Sequence, residues 1–171
     1  MNINPGIFKG YDIRAIYPKD INEENIVPIV KAIYTFLIRD HKGDKPFTLV
    51  VGTDIRISSP SLTKVAIKTL LDLGANIIDI GIVSTPTFYF SVSHYGLDGG
   101  IQITASHNPR EWNGIKIVKK GKRGLIKIGK PTGLEEIKDM ALAGESILTK
   151  DKGKITKKTE ILKDEVENAL R

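Results

Sequence analysis

Short runs rich in β-branched residues alternate with longer segments of three- and four-residue apolar spacing along most of this chain, and few folds accept that alternation. Phe47-Thr48-Leu49-Val50-Val51, Asn76 to Ile80 and Gly100-Ile101-Gln102-Ile103-Thr104 read as buried strands. Ile26, Ile29, Val30, Ile33, Phe36 and Leu37 mark an amphipathic helix from Asn22 to His41. A second helix, Ser61–Leu73, is entered through Ser59-Pro60 and stopped by Gly74; a third, Thr85–His94, is entered through Ser84-Thr85-Pro86. A short strand is expected at Ile7-Phe8 before a polar loop ending at Arg14. A further strand is expected at Gly114–Val118, paired to the preceding one across the loop Ala105–Asn113, and a helix at Leu134–Leu142. This order predicts an α/β fold: a mixed, largely parallel sheet with helices on both faces, in a single domain. Ligands of such sheets sit beyond the carboxyl ends of the strands. Four loops then share one edge: Tyr11–Arg14, Thr53–Ser59, Gly81–Pro86 and Ala105–Asn113.

The 171 residues suit one domain of ordinary size. Residues 1–144 carry the α/β pattern, and residues 145–171 read as a Lys-rich linker with a C-terminal helix. In that stretch, Ile155 to Leu170, the side chains Ile161, Leu162, Val166 and Leu170 share one helical face, as for a helix reaching for a partner. With no Cys, disulfides, thiolate metal sites and cysteine nucleophiles are excluded. Apolar runs fall far short of the roughly 20 residues of a membrane helix, and the first residues lack a leader's charged flank and apolar core. A cytoplasmic protein with no membrane partner is expected. The net charge of +6 arises after Ile115, where 15 basic residues face 9 acidic ones. No aromatic residue interleaves them, so they read as a solvated surface rather than a nucleic-acid interface.

Thr104-Ala105-Ser106-His107-Asn108-Pro109 places a hydroxyl just past a strand, beside an imidazole, before an Asn-Pro turn. Adjacency in sequence does not make a hydrogen bond, and such a turn needs no function, so site and plain turn both stand on these residues alone. A Ser-His-Asp hydrolase is disfavoured, because the G-x-S-x-G elbow is missing. Gly124 to Lys130 matches most of a P-loop, but Pro131 stands where Ser or Thr must bind metal. Ser61-Leu62-Thr63-Lys64 fits S-x-x-K without its companion motifs and reads as helix surface.

Five blocks together resemble the first domain of the α-D-phosphohexomutases, the phosphomannomutase and phosphoglucomutase family. They are Tyr11-Asp12-Ile13-Arg14; Gly52-Thr53-Asp54-Ile55-Arg56 with Ser58-Ser59; Gly81-Ile82-Val83-Ser84-Thr85-Pro86; Thr104 to Pro109; and Asn113-Gly114-Ile115-Lys116. They keep the family's order between Gly6 and Val118, and Ser-His-Asn-Pro is the most specific of them.

The resemblance implies that Ser106 is the catalytic serine that lends a phosphoryl group to a hexose monophosphate and recovers one from the bisphosphate intermediate. The enzyme would be an isomerase of the intramolecular phosphotransferase type, interconverting hexose 1- and 6-phosphates in carbohydrate metabolism. By the same resemblance His107 and Lys116 assist proton movement and Arg14 acts beside them. Tyr11, Arg14, Thr104, Asn108 and Lys116 bind substrate or phosphate. A phosphoryl oxygen on Ser106 would be a ligand of Mg²⁺, and hexose 1,6-bisphosphate would be the activator. A phosphoserine carries about −1.5 to −2 charges and needs cations at hand, which Arg14 and Lys116 can be.

Arg56 reads as a brace, since an Asp54–Arg56 contact can hold its own turn. Ala15 stands where the family commonly has Gly. The family's Asp-Gly-Asp-x-Asp-Arg metal loop, Gly-Glu-x-Ser-Gly-His sugar segment and Arg-Thr-Ser-Gly-Thr phosphate loop do not occur here. The chain is therefore expected to match about the first third of a mutase, to partner the remaining domains and a hexose phosphate, and to be inactive alone. The alternative is a non-catalytic α/β module that binds sugar phosphate or a protein.

Overall fold

Side chains branched at Cβ pack well on a pleated surface, and the Val- and Ile-rich runs become the strands of one sheet. The computed structural model describes residues 3–42, 45–147, 149 and 151–170. In chain order the elements are β1 (Ile13–Ile16), α1 (Ile26–Ile38), β2 (Thr48–Thr53), α2 (Ser59–Asp72), β3 (Asn76–Ile82) and α3 (Thr85–His94). They continue with β4 (Gly99–Ile103), β5 (Trp112–Gly121), β6 (Gly124–Lys127), α4 (Leu134–Ala143), β7 (Ile155–Lys157) and α5 (Ile161–Ala169).

The sheet is ordered β1-β5-β4-β2-β3-β7, and β6 pairs with β5. The pairs β4–β2, β2–β3 and β3–β7 are parallel, whereas β5 is antiparallel to β1, β4 and β6. Among the described strands β5 alone therefore runs against the rest, and the sheet is mixed and largely parallel. Alternation along a strand sends neighbouring side chains to opposite faces. Leu49 and Val51 of β2 join the core under α1, α2 and α4, while Val50 joins Phe88 and Val92 of α3 and Ile161 of α5.

Three local expectations are corrected. The first strand is Ile13–Ile16, not Ile7-Phe8: Pro5–Ile7 forms a 3-10 turn whose Gly6 amide donates to the Asn4 side chain at 2.9 Å. Tyr11 and Asp12 thus precede a strand rather than follow one. Helix α1 starts at Ile26, because the Asn22 side chain accepts from the amides of Glu24 and Asn25 and closes a separate turn. The P-loop-like stretch, discounted in sequence for Pro131, folds back on β5 as β6 over Gly124–Lys127, so these amides serve a ladder rather than a phosphate cradle.

The third correction concerns the tail, which is not one helix. Ile155–Lys157 extends the sheet beside β3, and the helix begins only at Ile161, which is 1% exposed. No described helix is long and apolar enough to cross a membrane.

Candidate active site

Parallel strands β2, β3 and β4 end side by side, with Thr53 opposite both Ile82 and Ile103. The loops that leave them must therefore meet. Asp54, Ser84, Thr85, Thr104, Ser106 and His107 line one cavity of about 380 Å³. Asp54, Arg56, Ser106 and Asn108 line an adjoining one of about 680 Å³.

Ser106 is exposed, and its φ of 55° lies in the left-handed region, where a residue other than glycine loses about 1–2 kcal/mol. Two contacts hold it there. Its amide donates to the Thr104 hydroxyl at 2.9 Å, and its carbonyl accepts from Arg56 Nη2 at 3.0 Å.

The same guanidinium reaches the carbonyls of Asn108 (2.6 Å), Pro109 (2.6 Å) and Trp112 (3.0 Å), and its Nε donates to Asp54 at 3.1 Å. Arg56 is thus pinned by its own turn and in turn pins the serine loop. Asp54 also accepts from the Ser59 hydroxyl at 2.5 Å, and the buried Asn113 donates to Ser58 and Ser59 at 2.7 and 3.0 Å. The start of α2 is tied by these bonds to both ends of the loop that carries Ser106.

On the other side of Thr104 lies a charge cluster. A Cβ at Gly114 would fall 1.9 Å from the Ile13 carbonyl, so the absence of a side chain there lets β1 and β5 approach. Ile13 pairs with Ile115, which sets Asp12 opposite Lys116. Arg14 donates to both Asp12 oxygens, at 2.9 and 2.6 Å, and Lys116 Nζ donates to one of them at 2.8 Å. Arg14 also donates to the Thr104 carbonyl at 3.3 Å. Burial alone would raise the Asp12 carboxyl, but the bonds from Arg14 and Lys116 outweigh it and hold the group below the usual carboxylate range.

Comparison with known proteins decides what this edge belongs to. Residues 5–146 match the family model described as phosphoglucomutase/phosphomannomutase, alpha/beta/alpha domain I.

The chain belongs to the phosphoglucomutase/phosphomannomutase family.

A phosphomannomutase of Klebsiella pneumoniae is 40% identical over 134 residues, 78% of this chain and 79% of that protein. One from Vibrio cholerae is 37% identical over 163 residues, 95% of this chain but 34% of the relative. The chain thus spans about a third of that longer relative. A crystal structure of a phosphoglucomutase/phosphomannomutase family protein from Burkholderia thailandensis superposes with a TM-score of 0.81 at 27% identity, covering 97% of this chain and 35% of that one.

Within this family domain, Ser106, His107 and Thr104 meet at one cavity, Asn108 borders the next, and Arg14 and Lys116 stand together on Asp12. Tyr11 is 85% exposed on the loop before β1 and lines neither cavity. Asp12 was not among the residues assigned a role from sequence. Its signal lies inside the Tyr-Asp-Ile-Arg block, where an acid two residues before a base can share one face of an extended chain. The reach of Arg56 to the serine loop had no sequence signal, because its acceptors are backbone carbonyls. Among the described residues no group of three or more His, Asp or Glu side chains could hold a metal ion. The carboxylates at this edge, Asp12 and Asp54, already face cations.

Proposed function

We propose that this chain is the phosphoserine-bearing domain of a phosphohexomutase, and that Ser106 exchanges its phosphoryl group with hexose phosphates. One observation carries the reading: an exposed serine held in a left-handed backbone at the end of β4, two residues past a carbonyl that Arg14 holds. In this reading the Ser106 Oγ–phosphorus bond breaks as a sugar hydroxyl oxygen bonds to phosphorus, and the hydroxyl proton passes to His107. In the return step the Ser106 oxygen bonds to the other phosphorus of the bisphosphate as the sugar oxygen–phosphorus bond breaks, and the sugar oxygen takes the proton back from His107, which interconverts hexose 1- and 6-phosphates. Arg14 and Lys116 lend positive charge to the transferring group, since such transfers depend mainly on positioning and electrostatic stabilisation. Thr104 and Asn108 shape the loop, and Tyr11 is available to substrate from the rim.

A phosphoryl oxygen on Ser106 is the one ligand assigned here to Mg²⁺. The described side chains do not complete a shell, and the other ligands would have to come from elsewhere in the enzyme. Turnover is accordingly assigned to a larger assembly, with this domain alone inactive.

The test is the intact mass of the purified chain before and after glucose 1,6-bisphosphate, alone and mixed with a separately made remainder of a mutase. A gain of about 80 Da on Ser106, absent in Ser106→Ala, is expected. No adduct in either arm, with the chain folded by circular dichroism, would replace this reading with the non-catalytic module.

A further inference from the structure

The wall of the site opposite Ser106 and His107 is the entry to α3, where Ser84 and Thr85 line the shared cavity. That entry is held from behind by an element outside the residues that match the family model, which end at 146. Thr87, 3% exposed, donates its hydroxyl proton to Glu165 Oε2 of α5 at 2.7 Å. A carboxylate only accepts, so this bond commits the Thr87 proton. The Ser84 and Thr87 hydroxyls are 2.8 Å apart. With the Thr87 proton spoken for, Ser84 must be the donor in that contact. Donating leaves both lone pairs of the Ser84 oxygen, and one of them accepts the Thr87 amide at 3.2 Å, which caps α3. Glu165 thus sets the direction of the whole chain and turns the Ser84 proton away from the cavity.

On this basis, and resting on the phosphoserine reading above, we propose that Glu165 is a positioning residue for the site: it acts through Thr87 on Ser84, the cap of the helix that faces Ser106. Two other ties place α5 for this task. Ile161 is buried in the core beneath α3, and the Tyr95 hydroxyl donates to Asp164 at 2.6 Å. Without the carboxylate, the Thr87 proton can turn to Ser84, and the Ser84 proton is then free to point into the cavity. Ser84 changes from a fixed cap to a competing donor beside the phosphoryl group.

The test compares Glu165→Ala, Glu165→Gln, Thr87→Val and Asp164→Ala in the full chain. Amide hydrogen exchange of Thr87 and amide chemical shifts of residues 84–87 and 106 give readouts independent of phosphate transfer. Glu165→Ala and Thr87→Val are expected to speed Thr87 exchange about twofold, because the Ser84 cap stays but loses the contact that fixes its hydroxyl. Glu165→Gln, whose amide oxygen still accepts, should restore the wild-type rate. Asp164→Ala cuts the other polar tie to α3 and should leave Thr87 unchanged. Phosphate uptake by Ser106 should slow several-fold in Glu165→Ala and not in Glu165→Gln. Unchanged Thr87 exchange in Glu165→Ala, or an equal effect from Asp164→Ala, would overturn the proposal. Were wild type itself to take no phosphate, the phosphoserine reading would fail while the exchange data still decided the role of Glu165.

Discussion

At Asp12 two cations share one buried carboxylate, Arg14 through both oxygens and Lys116 through one, so removing that charge leaves two positive groups facing each other. Asp12→Asn should lower the unfolding free energy at pH 7 by about 3 kcal/mol, read from urea denaturation, because a broken buried pair strands its partners. The folded carboxyl titrates below its ordinary value of 3.8. Its contribution is therefore present in full above that value and is lost as pH falls through the lowered folded one. Wild type should lose stability more steeply than Asp12→Asn below about pH 4. Ser106 makes the opposite case, a residue that costs stability where it stands. Ser106→Gly should be more stable than Ser106→Ala by about 1 kcal/mol, because glycine takes φ of 55° without a Cβ penalty. Equal urea midpoints for the two variants would contradict that account of the loop.

Among the elements, the loop from Ser106 to Trp112 depends on a side chain that it does not contain. Arg56 bonds four of its carbonyls from the turn after β2. A lysine has one ammonium and cannot fork across them. Arg56→Lys should cost about 2 kcal/mol and make cleavage after the exposed Arg110 by trypsin about tenfold faster, as a loop that opens locally would be cut. Unchanged cleavage would show that the loop holds itself. Helix α3 is placed just as closely: a Cβ on Gly100 would come within 2.9 Å of the Phe88 ring and 2.8 Å of the Val50 carbonyl. The sheet leaves no room there for a side chain, which lets α3 pack close to the sheet whose edge carries the cavity lined by Ser84 and Ser106.

For the whole molecule, the segment from Ile155 onward completes the domain as a strand beside β3 and a helix under α3. A chain ended at Ser146 should lose about 3 kcal/mol, since Ile161 no longer fills its place. It should also associate as concentration rises, because β3 becomes an open edge; light scattering reads this directly. How much of all this was legible follows from the range of each interaction. Residues three or four apart decide a helix, and residues two apart decide a strand face. The span Thr85–His94 and the strand–helix order from Thr48 to Val118 could therefore be read from the sequence, as could the blocks around Ser106 and Lys116 that mark the family. The later start of α1 and the turn before β1 were missed, because Asn side chains competed locally for backbone amides. What only the tertiary structure decided is which groups meet: Asp12 between Arg14 and Lys116, Arg56 on carbonyls some fifty residues away, Glu165 behind Thr87. A backbone carbonyl is the same in every residue and a buried carboxylate looks in sequence like any surface one, so these contacts exist only once the register of β1, β5 and β7 has been set by packing.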